Sequence, residues 1–480
     1  MASSPRWHWL SMAAAVVWGT WACEHGLESF GRRGGWLLSA LALWTVVVGV
    51  VTAGRSLRGW SALSILLVAV VGWRSASEWR EVRAVEFGDV ATVATLASDP
   101  EPLGRGVRVV LSIEGRRFEA VVYGANAAGV GGLERGESVR VVGRTREVRE
   151  QRRRRSQVRH VVGTVEVESF SDPVGGARRR SRALERSAND VRDVMARGAS
   201  AMTDDDAALF AGLVYGDDSA QSVEMIDRFR ESGLAHLTAV SGQNVGYVLA
   251  IVTPMLRRRG RWTRLSLTLG ALVWFAVLTR VEPSVVRAAG MAAVSAVALA
   301  VGWRPRAIDV LSTCVILFLV IDPFLAWSIG WWLSAAGTFG LVTWTPAIHR
   351  ILCAGRDRRR RLADWVAPTI AAQLGVLPVS VAVFGWPSAL ALPANLLAAP
   401  VAGAVMLAGI PLALVAGTVP TLGEVAMFVP TLAVRWVDTV ARVAAGLGPP
   451  LVIDIVVTSS IPLLLLLAWR CSRHRCANLG

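Results

Sequence analysis

The stretch Ser232 to Tyr247, SGLAHLTAVSGQNVGY, sets His236, Thr238, Ser241, Gln243, Asn244 and Tyr247 at the head of an apolar run that continues to Leu256. Polar side chains inside a membrane helix are costly unless they face the bundle interior or a wet cavity. His236, Gln243 and Tyr247 share a helical face at offsets of seven and eleven, with Ser241 and Asn244 alongside. Gly233, Gly242 and Gly246 permit close helix approach or a local break. Two readings fit. In one, a discontinuous helix offers free amide groups and polar side chains to phosphates or to a wet pore. In the other, small and polar residues act as interhelical glue. Arg287, about one turn into a helix opened by Glu282 and Pro283, could present a guanidinium to backbone phosphate, snorkel to the interface or pair with a carboxylate. Asn395, between Pro393 and Pro400, marks either a second break in a membrane helix or an ordinary loop near the interface.

A second constellation is basic: Arg144, Arg146, Arg149 and Arg152, Arg153, Arg154 and Arg155 crowd one predicted loop. That is either an electrostatic track for phosphates or a solvated charged loop. Few aromatic stacking platforms accompany it, only Phe118, Tyr123 and Phe170. Other chemistries lack their residues. All 51 basic side chains are Arg, so a Walker A motif and a Schiff-base lysine are both excluded. Thr203 with Asp204, Asp205 and Asp206 reads as a helix cap with acidic residues in the first turn, not as a metal site. Cys471 and Cys476 with His474 fall short of a closed tetrahedral set. No activated nucleophile or metal constellation stands out, so neither catalysis nor a cofactor is expected.

The elements that must position these residues are of two kinds. With 53% hydrophobic residues among 480 and a mean hydropathy of +0.46, the chain is too apolar for a soluble enzyme of this length. Its apolar residues gather in runs long enough to span a bilayer. Spans are expected at Trp9–Cys23, Gly35–Val51, Trp60–Trp73, Leu234–Leu256, Leu265–Val281, Pro283–Gly302, Ile308–Ile321, Phe324–Trp344, Trp365–Phe384, Val401–Val419, Val425–Ala445 and Ile453–Trp469. No leader peptide with a cleavage site is evident. Between Arg74 and Asp172 alternation of period two predicts strands at Val90–Ala97, Val107–Ile113, Phe118–Tyr123, Ser138–Gly143 and Val158–Val167, with Gly124–Gly132 as a turn. A small all-β barrel of the OB type is the economical fold for that count. The fold class is thus a polytopic α-helical membrane protein with an inserted OB-like barrel. It comprises residues 1–75 as early spans, 76–172 as the barrel, 173–204 as a basic linker and helix, 205–470 as the main bundle and 471–480 as a basic tail. Arg257–Arg264, Arg304 with Arg306, and Arg356–Arg361 form clusters that the positive-inside rule places in the cytoplasm, which puts the barrel on the exterior.

With these residues in view, the chain resembles the ComEC family of competence proteins, polytopic channels for transforming DNA in the bacterial cytoplasmic membrane. The resemblance rests on SGLAHLTAVSGQNVG, on LFAGLVYGDD upstream, and on PSVVRAAGM, IDPFLAWSIGWWLSAAG and LPVSVAVFGWPSALALPANLLAAP downstream, in family order from about Leu209 to Leu463. Asn244 stands where many members carry His, and Trp332 where many carry Gln. None of the six His forms the HxHxDH motif of the metallo-β-lactamase-like domain found in many members, so the resemblance implies a channel without an attached nuclease. It also implies single-stranded DNA as cargo, a lipid environment, a separate DNA receptor, an ATP-driven helicase and a nuclease as partners, and is compatible with a homo-oligomer. The competing functions are a transporter of a small or lipid-linked anionic solute, and a non-conducting membrane scaffold.

Overall fold

Alternation along the strands builds a closed barrel. The strands are β1 (Asp89–Leu96), β2 (Glu101–Leu103), β3 (Gly106–Ile113), β4 (Arg116–Tyr123), β5 (Ser138–Arg146) and β6 (Val161–Ser171). Every second side chain from Phe118 to Val122 is buried, and β3 does the same from Val109 to Ile113. These residues meet Ala94, Leu96, Val139, Val141 and Val165 in one apolar core. The sheet runs β1-β5-β6-β4-β3 and closes through a β1–β3 pairing, with β2 added outside β3. Only β4 and β6 pair in parallel; this is the strand order of an OB fold.

The computed structural model describes residues 12–18, 20, 67–79, 82, 85–104, 106–171, 183–238, 242–353, 360–448, 450 and 452–460. The expected spans at Trp9–Cys23, Gly35–Val51, Trp60–Trp73 and Ile453–Trp469 therefore lie wholly or partly outside the described residues, as does the tail with Cys471, His474 and Cys476.

Two connections depart from expectation. Gly124–Gly132 is not a turn: α1 (Ala125–Gly131) forms there, because Val130 drops into the barrel core and tertiary burial overrides the poor helix propensity of its glycines. The arginine-rich connection between β5 and β6 is not a loop either. It folds as α2 (Glu150–Val158), in keeping with the good helix propensity of Arg and an acidic residue in the first turn.

The chain divides into two compact units, residues 1–189 with 312–328, and residues 190–311 with 329–480. Within the first, the turn Pro323–Trp327 is gripped from two sides. The Phe324 ring lies 4.7 Å from Trp79, edge to face, and 5.0 Å from the His160 ring. His160 Nε2 stands 3.0 Å from Asp322 Oδ2, while Asp322 Oδ1 caps the turn by accepting from the Phe324 N–H at 3.0 Å. Phe324 thus belongs to a 3₁₀ turn rather than opening a span, and the long helix begins only at Ile329.

The second unit is helical. It holds most of α3 (Ala183–Ala199), then α4 (Asp204–Tyr215), α5 (Val223–Glu231), α6 (Ala235–Thr238), α7 (Gly242–Leu256), α8 (Arg261–Leu278) and α9 (Pro283–Ala300). After α10 (Ala307–Ile321) follow α11 (Ile329–Cys353), α12 (Arg360–Phe384), α13 (Ala391–Thr418) and α14 (Gly423–Gly446). Three of these, α9, α12 and α13, are long and apolar enough to cross a membrane; α10 is a shorter apolar helix. Thr203 caps α4 by accepting from the Asp206 N–H, as its sequence position predicts. Small residues bring helices together: Gly340 of α11 and Gly375 of α12 stand backbone to backbone, and Gly417 of α13 lies against the Val194 carbonyl of α3. Ion pairs fasten α14 to its neighbours, Arg435 to Asp206 at 2.8 Å and Asp438 to Arg228 at 2.8 Å.

Candidate functional site

Of the polar stretch, Ala235–Thr238 (α6) and the residues from Gly242 on (α7) are helical, and residues 239–241, hence Ser241, lie outside the described residues. Two glycines shape the surroundings. Gly233 adopts φ +75° and sits against Ala391, the first residue of α13. A Cβ at Gly242 would stand 3.0 Å from the Ala288 Cβ of α9 and 4.0 Å from the Ser284 carbonyl, so the start of α7 lies along the first turns of α9.

The candidate residues then separate by environment. Asn244 is 2% exposed, and its Nδ2 donates to the Leu213 carbonyl at 3.3 Å. Leu213 is in the last turn of α4, where carbonyls lack intrahelical partners, so Asn244 stitches α7 to the end of α4. Thr238 turns its hydroxyl back to the Ala235 carbonyl, 3.0 Å away. Gln243, one residue from the buried Asn244, is exposed and donates to Tyr247 Oη at 2.6 Å. Tyr247 in turn abuts Gly403 of α13, where any side chain would overlap the phenol oxygen. His236 is exposed. Its imidazole interacts with the Asn395 amide and the Gly233 backbone. Asn395 Oδ1 itself is buried without a hydrogen bond of proper geometry.

Asn395 requires a correction. Neither a break nor a loop surrounds it: α13 runs unbroken from Ala391 to Thr418, beginning ten residues before the expected Val401. Pro393 falls in the first turn, where its missing N–H costs nothing, and Ala394, Ala398 and Ala402 bury the face that keeps the helix whole through Pro400. The structure therefore brings His236 to Asn395 and Tyr247, which Gln243 contacts, to Gly403, both on α13. The roles of Gly403 and the Leu213 carbonyl carry no polar signature in sequence and were not legible there.

Arg287 is 8% exposed, and its Nε and Nη1 are buried without partners. The Glu282 carboxylate, at the head of the same helix, acts on its charge, in keeping with the carboxylate-pairing reading, while its burial disfavours snorkelling.

The basic constellation on the barrel is likewise sorted. Arg144 and Arg146 belong to β5 rather than a loop, and each faces a carboxylate, Asp89 at 3.4 Å and Glu166 at 2.7 Å. Arg153 pairs with Glu147 at 3.0 Å. Arg108 on β3 is committed to Glu101, whose hydrogen bond raises the guanidinium pKa above its ordinary value against the opposing effect of burial. Arg149, Arg152 and Arg155 are exposed and, among the described residues, unpaired. They recur every third residue and span about 9 Å of α2 by helical rise. The backbone of Arg154 lies in α2 between them. Of the expected platforms, Phe118 is in the core and unavailable, Phe170 packs partly on that core, and Tyr123 is 63% exposed. Among the described residues no cluster of His, Cys, Asp and Glu could hold a metal.

Comparison with known proteins agrees with the motifs. The chain is 28% identical over 203 residues to ComE operon protein 3 of Bacillus subtilis (strain 168), covering 42% of this chain and 25% of that protein. It is 27% identical over 206 residues to the uncharacterized protein YcaI of Escherichia coli (strain K12), covering 40% of this chain and 27% of that one. The matched segment thus spans about a quarter of each relative. No solved structure matches the chain. The competence protein family matches residues 213–473, more than half of the sequence and the whole of the polar stretch, α9 and α13. The chain belongs to the competence protein family, as its resemblance to ComEC proteins implies.

Proposed function

We propose that this chain forms a multi-pass passage in the bacterial cytoplasmic membrane through which one strand of transforming DNA enters the cell. The observation that carries the reading is a polar stretch with Gln243 and His236 exposed, His236 interacting with Asn395 of an apolar, membrane-length helix. Exposed polar groups at membrane depth are sustained where they line a wet cavity. Positive charge in the α7–α8 connection, at Arg257, Arg258 and Arg259, supports a cytoplasmic end for α7 and an exterior barrel. The exterior barrel then meets single-stranded DNA with the free arginines of α2, and separate partners supply the receptor, the helicase and the nuclease.

The environments of two adjacent residues give the test. Gln243→Leu is expected to lower transformation about ten-fold at unchanged membrane abundance, because it removes an exposed polar group and little packing. Asn244→Leu is expected to act through the fold: it strands a buried carbonyl, which costs about 1–3 kcal/mol, and lowers abundance. Transformation with Gln243→Leu equal to the wild type, at equal abundance, contradicts the lining role.

A further inference from the structure

The end of α11 and the start of α12 bring together three reactive groups that a DNA path does not use. Cys353, the last residue of α11, carries a half-buried free thiol. His349 precedes it by one helical turn, and the sulfur lies 3.7 Å from His349 Nδ1 and 3.8 Å from Nε2. Asp364 of α12 completes the set, with Oδ1 2.7 Å from His349 Nε2. Ile348 and Leu352 of α11 pack with Ala367 and Ala371 of α12 in one apolar cluster, which fixes the two helix ends against each other. The group opens to solvent, the His349 side chain being 29% exposed and that of Asp364 55%.

The order of the three is chemically specific. A carboxylate that accepts from Nε2–H leaves the lone pair on Nδ1, the nitrogen nearer the sulfur. A thiol beside a base that a third group orients is the arrangement of an activated nucleophile. Cys314 makes the contrast, at 3% exposed and buried within α10.

We infer that Cys353 is a modification site for low-molecular-weight disulfides, with His349 as its base and Asp364 as the residue that positions His349. The thiol proton passes to Nδ1, and the sulfur attacks one sulfur of the disulfide. A new S–S bond joins Cys353 to that half as the old bond breaks, and the other half leaves as a thiolate that takes the proton from the imidazolium. Cys353 is oxidised to the mixed disulfide and the leaving half is reduced to a thiol, so the disulfide itself is the oxidant. Positive charge at Arg358–Arg361 next in the chain suits an attacking thiolate, and the positive-inside rule assigns that cluster to the cytoplasm. The inference stands apart from the DNA reading.

The full chain in detergent is mixed with oxidised glutathione at pH 7, and the mixed disulfide at each cysteine is followed by peptide mass spectrometry. The reference is the same cysteine in the urea-unfolded chain, where no base is held against it. Folded Cys353 is expected to exchange about ten-fold faster than this reference. His349→Gln should bring the folded rate down to the reference or below it, and Asp364→Asn should lower it in part. Loosening of the helix ends by either variant would expose the thiol without slowing it below the reference, so helix fraying cannot mimic a loss of the base in a wild type that is faster than the reference. A folded rate no higher than the reference, or a rate unchanged in His349→Gln, overturns the site.

Discussion

Valine at position 375 is expected to unseat α11 from α12 and remove most of the folded protein from the membrane. The Gly375 Cα stands where any Cβ would overlap the Ala336 carbonyl oxygen, and the facing Gly340 would overlap the Ala371 carbonyl in the same way. These are backbone atoms on both sides, so no rotamer change can relieve the overlap. Ala367, Ala371 and Gly375 recur every fourth residue along α12, and all but the glycine's own position are fully buried alanines. Membrane helices associate largely through such close packing, so widening the pair forfeits it along several turns. The cost is about 3 kcal/mol or more, at the upper end for overpacking. Quantitative immunoblotting of membranes should show abundance reduced about five-fold or more. Gly270→Val in α8, where a side chain meets nothing within 4 Å, is the matched control and should leave abundance unchanged.

Replacing Arg149, Arg152 and Arg155 by Ala is expected to lower the affinity of the full chain for single-stranded DNA by about 10²-fold at 50 mM salt, with a loss of about 2 in the slope of log affinity against log salt. The size follows from three phosphate contacts, each contributing about 0.7 to that slope for a single strand. Arg144 and Arg146 serve as the internal comparison. Each already faces a carboxylate on the barrel, so replacing them frees Asp89 and Glu166 rather than removing free positive charge, and the slope should change by less than half as much. Titration by fluorescence anisotropy at several salt concentrations distinguishes the two sets. Equal slopes for the triple variant and the wild type contradict a role for α2 in binding.

The contrast between these arginines shows what sequence can and cannot specify. Alternation placed the barrel strands because burial on one face of a strand is a local, period-two property: Val109, Leu111 and Ile113 announce themselves. The state of a charged side chain is different, for it depends on which carboxylate the fold brings near. Arg144 and Arg149 are alike in sequence, yet one lies across from Asp89 on the neighbouring strand and the other begins a helix. The same holds in the bundle. His236 and Asn395 are too far apart in the chain for any periodicity to relate them, and the prolines flanking Asn395 pointed to a break that the packing of Ala394, Ala398 and Ala402 prevents. Gln243 and Asn244 were equivalent by composition; a helical step of about 100° sends one to a solvent-accessible face and the other to the end of α4. The turn at Phe324 was hidden for the opposite reason, since an apolar residue next to an apolar helix gives no sign that Trp79 and His160 hold it apart.

The central proposal is that this chain carries DNA across a membrane. The direct measurement is entry of end-labelled DNA into a nuclease-protected compartment of the host cell, in the wild type, in a strain deleted for this chain, and in the deletion strain expressing it from a second locus. The predicted result is loss of protected label on deletion, at unchanged surface binding of DNA, and its return on complementation. Protected label in the deletion strain equal to the wild type contradicts the claim.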